Sequence, residues 1–221
     1  MKYSNFLLSL GFLLFGTFSS SCEQSQFEDC IRGEGAIVTQ TLNFKRSINS
    51  ISLASTGTLI VKQGAEQLIE IRAHANIIEH IVDHSPVKNG HWKISLGDCE
   101  EKIRKEELQI FVTLPTLASL ALARDGDVKM EGAFDSIEEL DLIVAGSGNM
   151  DVTLGNNVQE INTFLNDSGN LNLTLEDQVQ KIKTFISDNG DCTIAGATEA
   201  LEIFIRGRGD VKALDLTAQN C

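Results

Sequence analysis

The chain is poor in proline, in aromatic residues other than phenylalanine, and in positive charge. It has two prolines, one tryptophan and one tyrosine, and no low-complexity linker divides it into halves. Lysine and arginine number 18 against 31 aspartates and glutamates, so the formal net charge is −13. Nucleic acids and anionic membrane surfaces recruit proteins through clustered Lys and Arg. We therefore expect neither of them as a partner of the folded chain.

Recognisable catalytic motifs are also missing. The sequence contains no G-x-S-x-G nucleophile elbow, no P-loop and no H-E-x-x-H helix. Its cysteines and histidines form no constellation with a third residue placed to orient them. These absences favour a protein that is not an enzyme.

What the chain does contain is a repeat. Between residues 119 and 214, a run of alternating apolar residues meets a short Gly-centred turn five times, and a second alternating run follows. The central glycines lie 22, 21, 21 and 19 residues apart: Gly126, Gly148, Gly169, Gly190 and Gly209. Gly57 stands in a similar turn upstream. A period of about 20 residues is typical of proteins whose units bury their apolar faces by stacking on one another.

Mostly apolar residues recur at fixed distances from these glycines. Side chains alternate faces along a strand, so even offsets on both sides of a turn point to one interior. The interior columns are Leu122, Val144, Leu165, Ile186 and Ile205 (four before), Leu120, Leu142, Thr163, Thr184 and Ile203 (six before), and Val128, Met150, Leu171, Cys192 and Val211 (two after). At the turns we expect Gly to supply a positive φ and Asp and Asn to bond their own backbone.

The pattern predicts an all-β protein built as a β-solenoid. We expect a single domain over residues 33–221, with regular repeats at 116–221 and an irregular N-terminal half. Apolar residues at helical spacing predict one short helix over residues 76–82 of that half. The remaining N-terminal strands are expected at 36–44, 51–54, 59–61, 68–72, 92–96 and 108–114.

Several turns resemble those of a known family, the head GIN domain family of autotransporter adhesins. The matching stretches are Gly33-Glu34-Gly35, Ser55-Thr56-Gly57, Gly146-Ser147-Gly148-Asn149, Asp167-Ser168-Gly169-Asn170 and Gly207-Arg208-Gly209-Asp210. The resemblance covers roughly residues 30–221 and implies a right-handed β-helix-like fold with an adhesive role. Family members usually continue through further turns, whereas this sequence shows no polar capping unit. We therefore expect a truncation, an oligomeric cap, or an exposed last unit prone to pairing.

Residues 1–21 are typical of an export signal. An apolar stretch, Phe6 to Phe18, is too short to span a membrane and leads to Ser19-Ser20-Ser21. Small residues ending in Cys22 resemble the lipobox of bacterial lipoproteins, although Ser19 stands where Leu is usual. The resemblance implies lipidation of Cys22, a tether over residues 22–32 and an outer-membrane location, with surface exposure left open. Ordinary cleavage, with Cys22 unmodified, is the alternative.

The other cysteines do not form a dense disulfide scaffold. Cys192 falls in an interior column, so we expect it to be a small buried apolar residue. Cys30 and Cys99 could pair in an oxidising compartment, but the sequence does not decide this.

A column of large apolar residues stands at an odd offset. Five residues before the repeat glycines come Ile143, Phe164, Phe185 and Phe204. This offset faces away from the interior, so we predict an apolar stripe on the outer face. Contiguous exposed apolar patches usually mark interaction surfaces, here for a glycan, a protein or another copy of the chain. The alternative is that the N-terminal half or a second sheet covers the stripe.

The turns offer two further candidate sites. Ca²⁺ takes six to eight oxygen ligands, which stacked turn carboxylates could supply: Asp125, Asp127, Asp167, Asp188, Asp191 and Asp210. Turn chemistry explains most of these residues, so we assign no cofactor. The Arg208-Gly209-Asp210 tripeptide matches an integrin-binding motif, but the turn register alone accounts for its Gly and Asp.

The histidines are a third candidate. His74, His80, His84 and His91 occur near Glu79 and Asp83, and two of them, four residues apart, would share a helix face that can hold a metal. We favour the alternative of a surface helix with incidental histidines and assign no metal.

The sequence as a whole favours a non-enzymatic, lipid-anchored envelope protein with an adhesin-like binding role. One alternative is a structural component that assembles with copies of itself. Another is a β-helical enzyme acting on polysaccharide, but the cations that such an enzyme would cluster are scattered: Arg124, Lys129, Arg206, Arg208 and Lys212.

Overall fold

The computed structural model describes residues 31–97, 103–132, 134, 137–155, 158–213 and 215–220. The predicted export signal, the lipidation site at Cys22 and the Cys30–Cys99 pair lie outside this part of the chain. Within it the protein is mostly β, with one α-helix and sixteen strands in a single sheet that does not close on itself.

The N-terminal elements are β1 (Ile37–Leu42), β2 (Ser50–Ala54), β3 (Thr58–Gln63), β4 (Leu68–His74), α1 (Ala75–His84), β5 (Val87–Lys88), β6 (His91–Ser95) and β7 (Gln109–Leu114). The repeats supply β8 (Ser119–Leu122), β9 (Asp127–Gly132), β10 (Glu139–Val144), β11 (Asn149–Leu154), β12 (Glu160–Leu165), β13 (Asn170–Ile186), β14 (Cys192–Ile205), β15 (Val211–Lys212) and β16 (Leu216–Asn220).

The strands of the repeats form two parallel stacks, one on each side of the turns. Strands before the turns stack in the order β8, β10, β12, the second half of β13 and the second half of β14. Strands after the turns stack as β9, β11, the first half of β13, the first half of β14 and β15. Each repeat therefore pairs with the repeat before it through both of its strands.

The register of these pairs confirms the predicted interior columns. Leu142 aligns with Leu120, and Thr163 aligns with Thr184. Both threonines are buried, and the Thr163 hydroxyl donates to Thr184 Oγ1 over 3.0 Å. A buried hydroxyl needs such a partner, so this bond accounts for two polar residues inside an otherwise apolar column.

Cys192 shows that the two stacks face each other across the core. It is fully buried and unpaired with another cysteine, which confirms the prediction of a small buried residue. Its thiol lies in the stack after the turns and hydrogen-bonds with Thr163 and Thr184, which lie in the stack before them. Burial raises the pKa of this thiol to about 12, and the two threonine contacts oppose that rise.

The repeat glycines are required for a different reason from the one predicted. Gly57 has a positive φ of 110°, as expected, but the five repeat glycines do not. At these five positions the turns stack so closely that a side chain has no room. A Cβ at Gly126 would lie 2.6 Å from the Ser55 carbonyl oxygen, and one at Gly148 would overlap the carbonyl of Gly126. The prediction of a positive φ was therefore wrong for the repeats, where close approach of the backbones selects glycine.

The predicted helix is present as α1. Ile77, Ile78 and Ile81 are buried against the sheet, whereas Val82, which the pattern placed with them, is 40% exposed. Val82 points off the packed face because a helix of 10 residues on a sheet buries only one side. No helix in the described ranges is both long and apolar enough to cross a membrane.

The N-terminal half is more regular than the sequence predicted. β2 and β3 flank the Gly57 turn and pair in parallel with β8 and β9, so they form one more repeat. On their other side β6 and β7 add a further pair, also parallel. Only β1, β4 and β5 join the sheet antiparallel. The glycine-spacing pattern did not reveal the β6–β7 unit, because 13 residues of sequence, 96–108, separate these two strands.

The last repeat departs from the interior prediction. Ile203 and Ile205 occupy interior positions, yet they are 41% and 46% exposed. Their counterparts one repeat earlier, Thr184 and Ile186, are fully buried. No described strand stacks on the far side of residues 201–205, which accounts for the exposure of Ile203 and Ile205.

Candidate functional site

The outer face of the stack before the turns carries the predicted apolar stripe, here called the aromatic column (Ile143, Phe164, Phe185 and Phe204). Register places each member beside the next across three successive strand pairs. Neighbouring strands lie about 4.8 Å apart, so the side chains form one continuous line. Phe164 is 39% and Phe204 57% exposed, while the other two are partly buried.

Polar side chains border the aromatic column on one side. Seven and nine residues before the repeat glycines, Lys183 pairs with Glu160, and Lys181 with Glu202 at 2.6 Å. Asn162 extends the border by donating to Glu139 over 2.6 Å and to Asp141 over 3.1 Å. The hydrogen bond to Glu160 raises the pKa of Lys183, against a smaller opposing effect of desolvation, so this lysine stays charged.

This arrangement is suited to binding. A line of aromatic faces with a polar border can stack on the apolar face of a sugar or on apolar side chains of a protein. Two lysine–glutamate pairs offset each other's charge, whereas Glu139 and Asp141 bind the neutral Asn162, so the border is net acidic. Across the described ranges, no group of three or more His, Cys, Asp or Glu side chains is placed to hold a metal ion.

Side chains of the turns mostly bind the backbone of the next repeat. Asp127 accepts a hydrogen bond from the Asn149 amide over 3.3 Å, and Asp191 accepts one from the Asp210 amide over 2.9 Å. That second bond, together with the nearby Lys212, lowers the pKa of Asp191. The structure thus gives these carboxylates a role in stacking, and it brings no calcium-binding cluster together in the described chain.

The Arg208-Gly209-Asp210 tripeptide lies in the last of the stacked turns. Its arginine and aspartate are exposed, but Gly209 is buried. A Cβ at this glycine would overlap the Gly190 carbonyl, and the Asp210 carbonyl accepts from the Cys192 amide over 2.8 Å. Stacking therefore accounts for the glycine and for the backbone of Asp210, as predicted, and integrin recognition stays a prediction without a test.

A shallow cavity of about 340 Å³ lies along the first turns of the repeats. Arg124, Asp125, Ser147 and Asp167 line it with both signs of charge. The acidic column predicted from the sequence therefore contributes two members to one cavity, beside one arginine.

The four histidines do not converge on one point. His80 and His84 stack with ring centroids 4.1 Å apart, and His84 Nδ1 hydrogen-bonds the His80 carbonyl. His91 bonds Ser50 over 2.8 Å. His74 is half-buried near Gly33, and its buried Nδ1 atom has no partner in the described chain.

Sequence reasoning missed two features of the surface. The first is the polar border, which the same offset counting would have found at positions seven and nine before Gly148, Gly169 and Gly190. The second is a cavity of about 320 Å³ lined by basic side chains, including Lys88, His91 and Lys93. It brings together residues from α1, β5 and β6, and no spacing pattern in the sequence signals that meeting.

The family comparison decides what kind of protein this is. Residues 48–221 match the model of the family described as "Putative auto-transporter adhesin, head GIN domain". The chain belongs to this family. Membership supports a cell-surface or envelope location and agrees with the resemblance seen in the turns. Among curated proteins, no relative matches the chain.

Solved structures show similar chains from three bacterial species. A "putative adhesin" from Bacteroides fragilis is 15% identical, with 83% of this chain and 100% of that chain covered and a TM-score of 0.49. A "putative lipid binding protein" from Parabacteroides distasonis is 15% identical over 86% and 99%, with a TM-score of 0.46. A "putative cell adhesion protein" from Clostridium sporogenes is 10% identical over 80% and 99%, with a TM-score of 0.37.

Proposed function

We propose that this head GIN domain protein is a non-enzymatic binding module of the bacterial envelope that holds a glycan or protein ligand on its aromatic column. One observation carries the proposal: four large apolar side chains align on an outer face, and Phe204 is 57% exposed. Soluble proteins seldom expose a contiguous apolar line unless it meets a partner. Membership of an adhesin family agrees with this role.

The proposed shape is a right-handed β-solenoid over residues 33–221. Its support is the unchanged parallel register from repeat to repeat in both stacks. Connections between parallel strands of one sheet are right-handed in nearly all proteins. A solenoid of this kind presents identical offsets in straight columns, which is what a repeating ligand such as a glycan chain can follow.

The proposed anchor is a lipid on Cys22, followed by a tether over residues 22–32. Its support is the small-residue run ahead of that cysteine. Replacing the cysteine, Cys22→Ser, should move the protein out of the membrane fraction of its host cell. Retention of the variant in washed membranes would contradict the anchor without touching the binding proposal.

The binding proposal is tested on arrays of glycans and matrix proteins with the full-length protein in mild detergent. We expect saturable binding by the wild type and its loss in the double variant Phe164→Asp/Phe185→Asp. Thr153→Asp/Thr174→Asp is the matched control, because these threonines pair with each other on the outer face of the same sheet's other stack. It adds the same charge to neighbouring repeats.

Circular dichroism first establishes that both double variants fold. Equal loss of binding in the two variants would point to the added charge rather than to the column. Saturable binding by all three proteins would contradict the assignment of the site. A wild type that binds nothing on either array, while its oligomeric size depends on the column, would favour the self-assembly alternative.

A further inference from the structure

Among the described residues, the second half of β14 lies at an edge of the sheet, here called the open edge. Residues 201–205 pair with β13 on one side, and on the other side no described strand reaches them, because the pairing with β16 ends at Ala200. Ile203, Phe204 and Ile205 are 41%, 57% and 46% exposed. An edge that combines unpaired backbone groups with exposed apolar side chains is a template for a further strand.

The direction of the backbone groups along this edge can be read from the pairing. The Arg206 amide donates to the Ile186 carbonyl of β13 over 2.8 Å. Along a strand, successive residues direct their N–H and C=O groups to alternate sides. Ile203 and Ile205 therefore direct theirs to the open side, while Phe204 directs its groups to β13.

We propose that the open edge of β14 pairs antiparallel with the same edge of a second copy of this chain, with Phe204 opposite its own counterpart. This register puts Ile203 opposite Ile205 in a hydrogen-bonded pair, which is the geometry that their outward N–H and C=O groups require. Both isoleucines point to the interior in each copy, so the pairing closes two open cores at once.

Charge favours the same register. Across the two-fold axis, Glu202 of each copy lies opposite Arg206 of the other, on the outer face that Phe204 shares. Directly opposed charges of unlike sign stabilise a cross-strand pair by about 0.2–1 kcal/mol, and like charges destabilise it. Shifting the register so that Glu202 or Arg206 meets itself opposes like charges. The edge sequence is therefore self-complementary in charge, in apolar side chains and in backbone direction.

The pairing has a geometric consequence for the outer face. A two-fold axis perpendicular to the sheet keeps the outer faces of both copies on the same side. The aromatic columns then run end to end, from Ile143 through Phe204 and on through the second copy. This consequence bears on ligand length, but the pairing itself does not depend on the proposed binding function.

The register is tested by disulfide cross-linking of the full-length protein in membranes. Residues of a non-hydrogen-bonded antiparallel pair have Cα atoms about 4.5 Å apart, within the range of about 4.4–6.8 Å that a disulfide spans. Mild oxidation of Phe204→Cys should therefore give a disulfide-linked dimer as the main product. Phe164→Cys, an exposed member of the same column two repeats away, is the matched control and should give no more dimer than the parent chain with its native cysteines.

A second pair of variants tests the register without relying on Phe204. Two differently tagged chains, one with Glu202→Cys and one with Arg206→Cys, should cross-link to each other several-fold more than either does to itself. Equal dimer yields from Phe204→Cys and Phe164→Cys, or equal homotypic and mixed cross-linking of the second pair, would overturn the proposal. So would a Phe204→Cys product of any mass other than twice the chain, which would indicate a different protein on this edge.

Discussion

The middle repeats and the last repeat have the same register but different surroundings. Ile186 and Ile205 stand at the same offset from their glycines, yet the first is fully buried and the second is 46% exposed. Thr184 and Ile203 differ in the same way, although the isoleucine is the more apolar of the two. A side chain at an interior position is therefore buried only where a repeat stacks on each side of its own. The sequence of the repeat alone does not determine its burial.

The first test of this difference replaces a glycine in a middle turn and one in the last turn. Gly148→Ala should destabilise the protein by roughly 3 kcal/mol, because the added Cβ meets the backbone of the turn below and repeats above prevent the turn from moving. Gly209→Ala meets the Gly190 carbonyl in the same way, but no described turn lies beyond it. Its cost should be nearer 1 kcal/mol.

Urea unfolding followed by circular dichroism measures both variants at equal protein concentration. Because φ is not positive at either glycine, an alanine there has no conformational penalty that could mimic the steric one. Equal destabilisation by the two substitutions would show that the last turn is held as firmly as the middle one, which is the opposite of what its open surroundings indicate.

Truncating side chains of the interior columns allows the same comparison. Ile186→Ala should cost about 2–5 kcal/mol, as is usual for a fully buried isoleucine that leaves a cavity. Ile205→Ala should cost roughly 1 kcal/mol at low protein concentration, since about half of its side chain is already in water. If a second copy covers Ile205, the cost of this second substitution rises with concentration, whereas the cost of Ile186→Ala does not.

The repeats could be predicted from sequence because their order in space is their order in the chain. Counting from Gly126, Gly148 and the later glycines gave three interior columns whose register the structure confirms, since a strand alternates its side chains with a period of two. The aromatic column followed from the same counting, by taking an odd offset. Its alignment is a consequence of parallel pairing in constant register, so one pattern predicted both faces.

The rest depends on contacts that no local pattern encodes. β6 and β7 pair with β2 and β3, on the side away from β8 and β9, although they come later in the chain than β2 and β3. Their position depends on pairing with a distant part of the chain and not on a local pattern. The exposure of Ile203 likewise depends on what lies beyond it. The reason for the repeat glycines was also misjudged, because Gly148 is selected by the distance to the turn below and not by its own dihedral angles.

Cys192 shows that the last repeat is closed on its other strand. Here Val211 of β15 stacks beside it, and the thiol is fully buried with a pKa raised to about 12. A thiol in the unfolded chain ionises near pH 8.5, so the unfolded state loses its proton first. The stability that this group contributes is full below that pH and falls as the pH rises toward 12.

Cys192→Val should therefore lose less stability than the wild type between about pH 9 and 11. Lysines and the other cysteines also titrate in this range, but they are common to both proteins. Identical slopes in urea unfolding across that range would mean that the thiol reaches water, and that the last repeat is open on both of its strands.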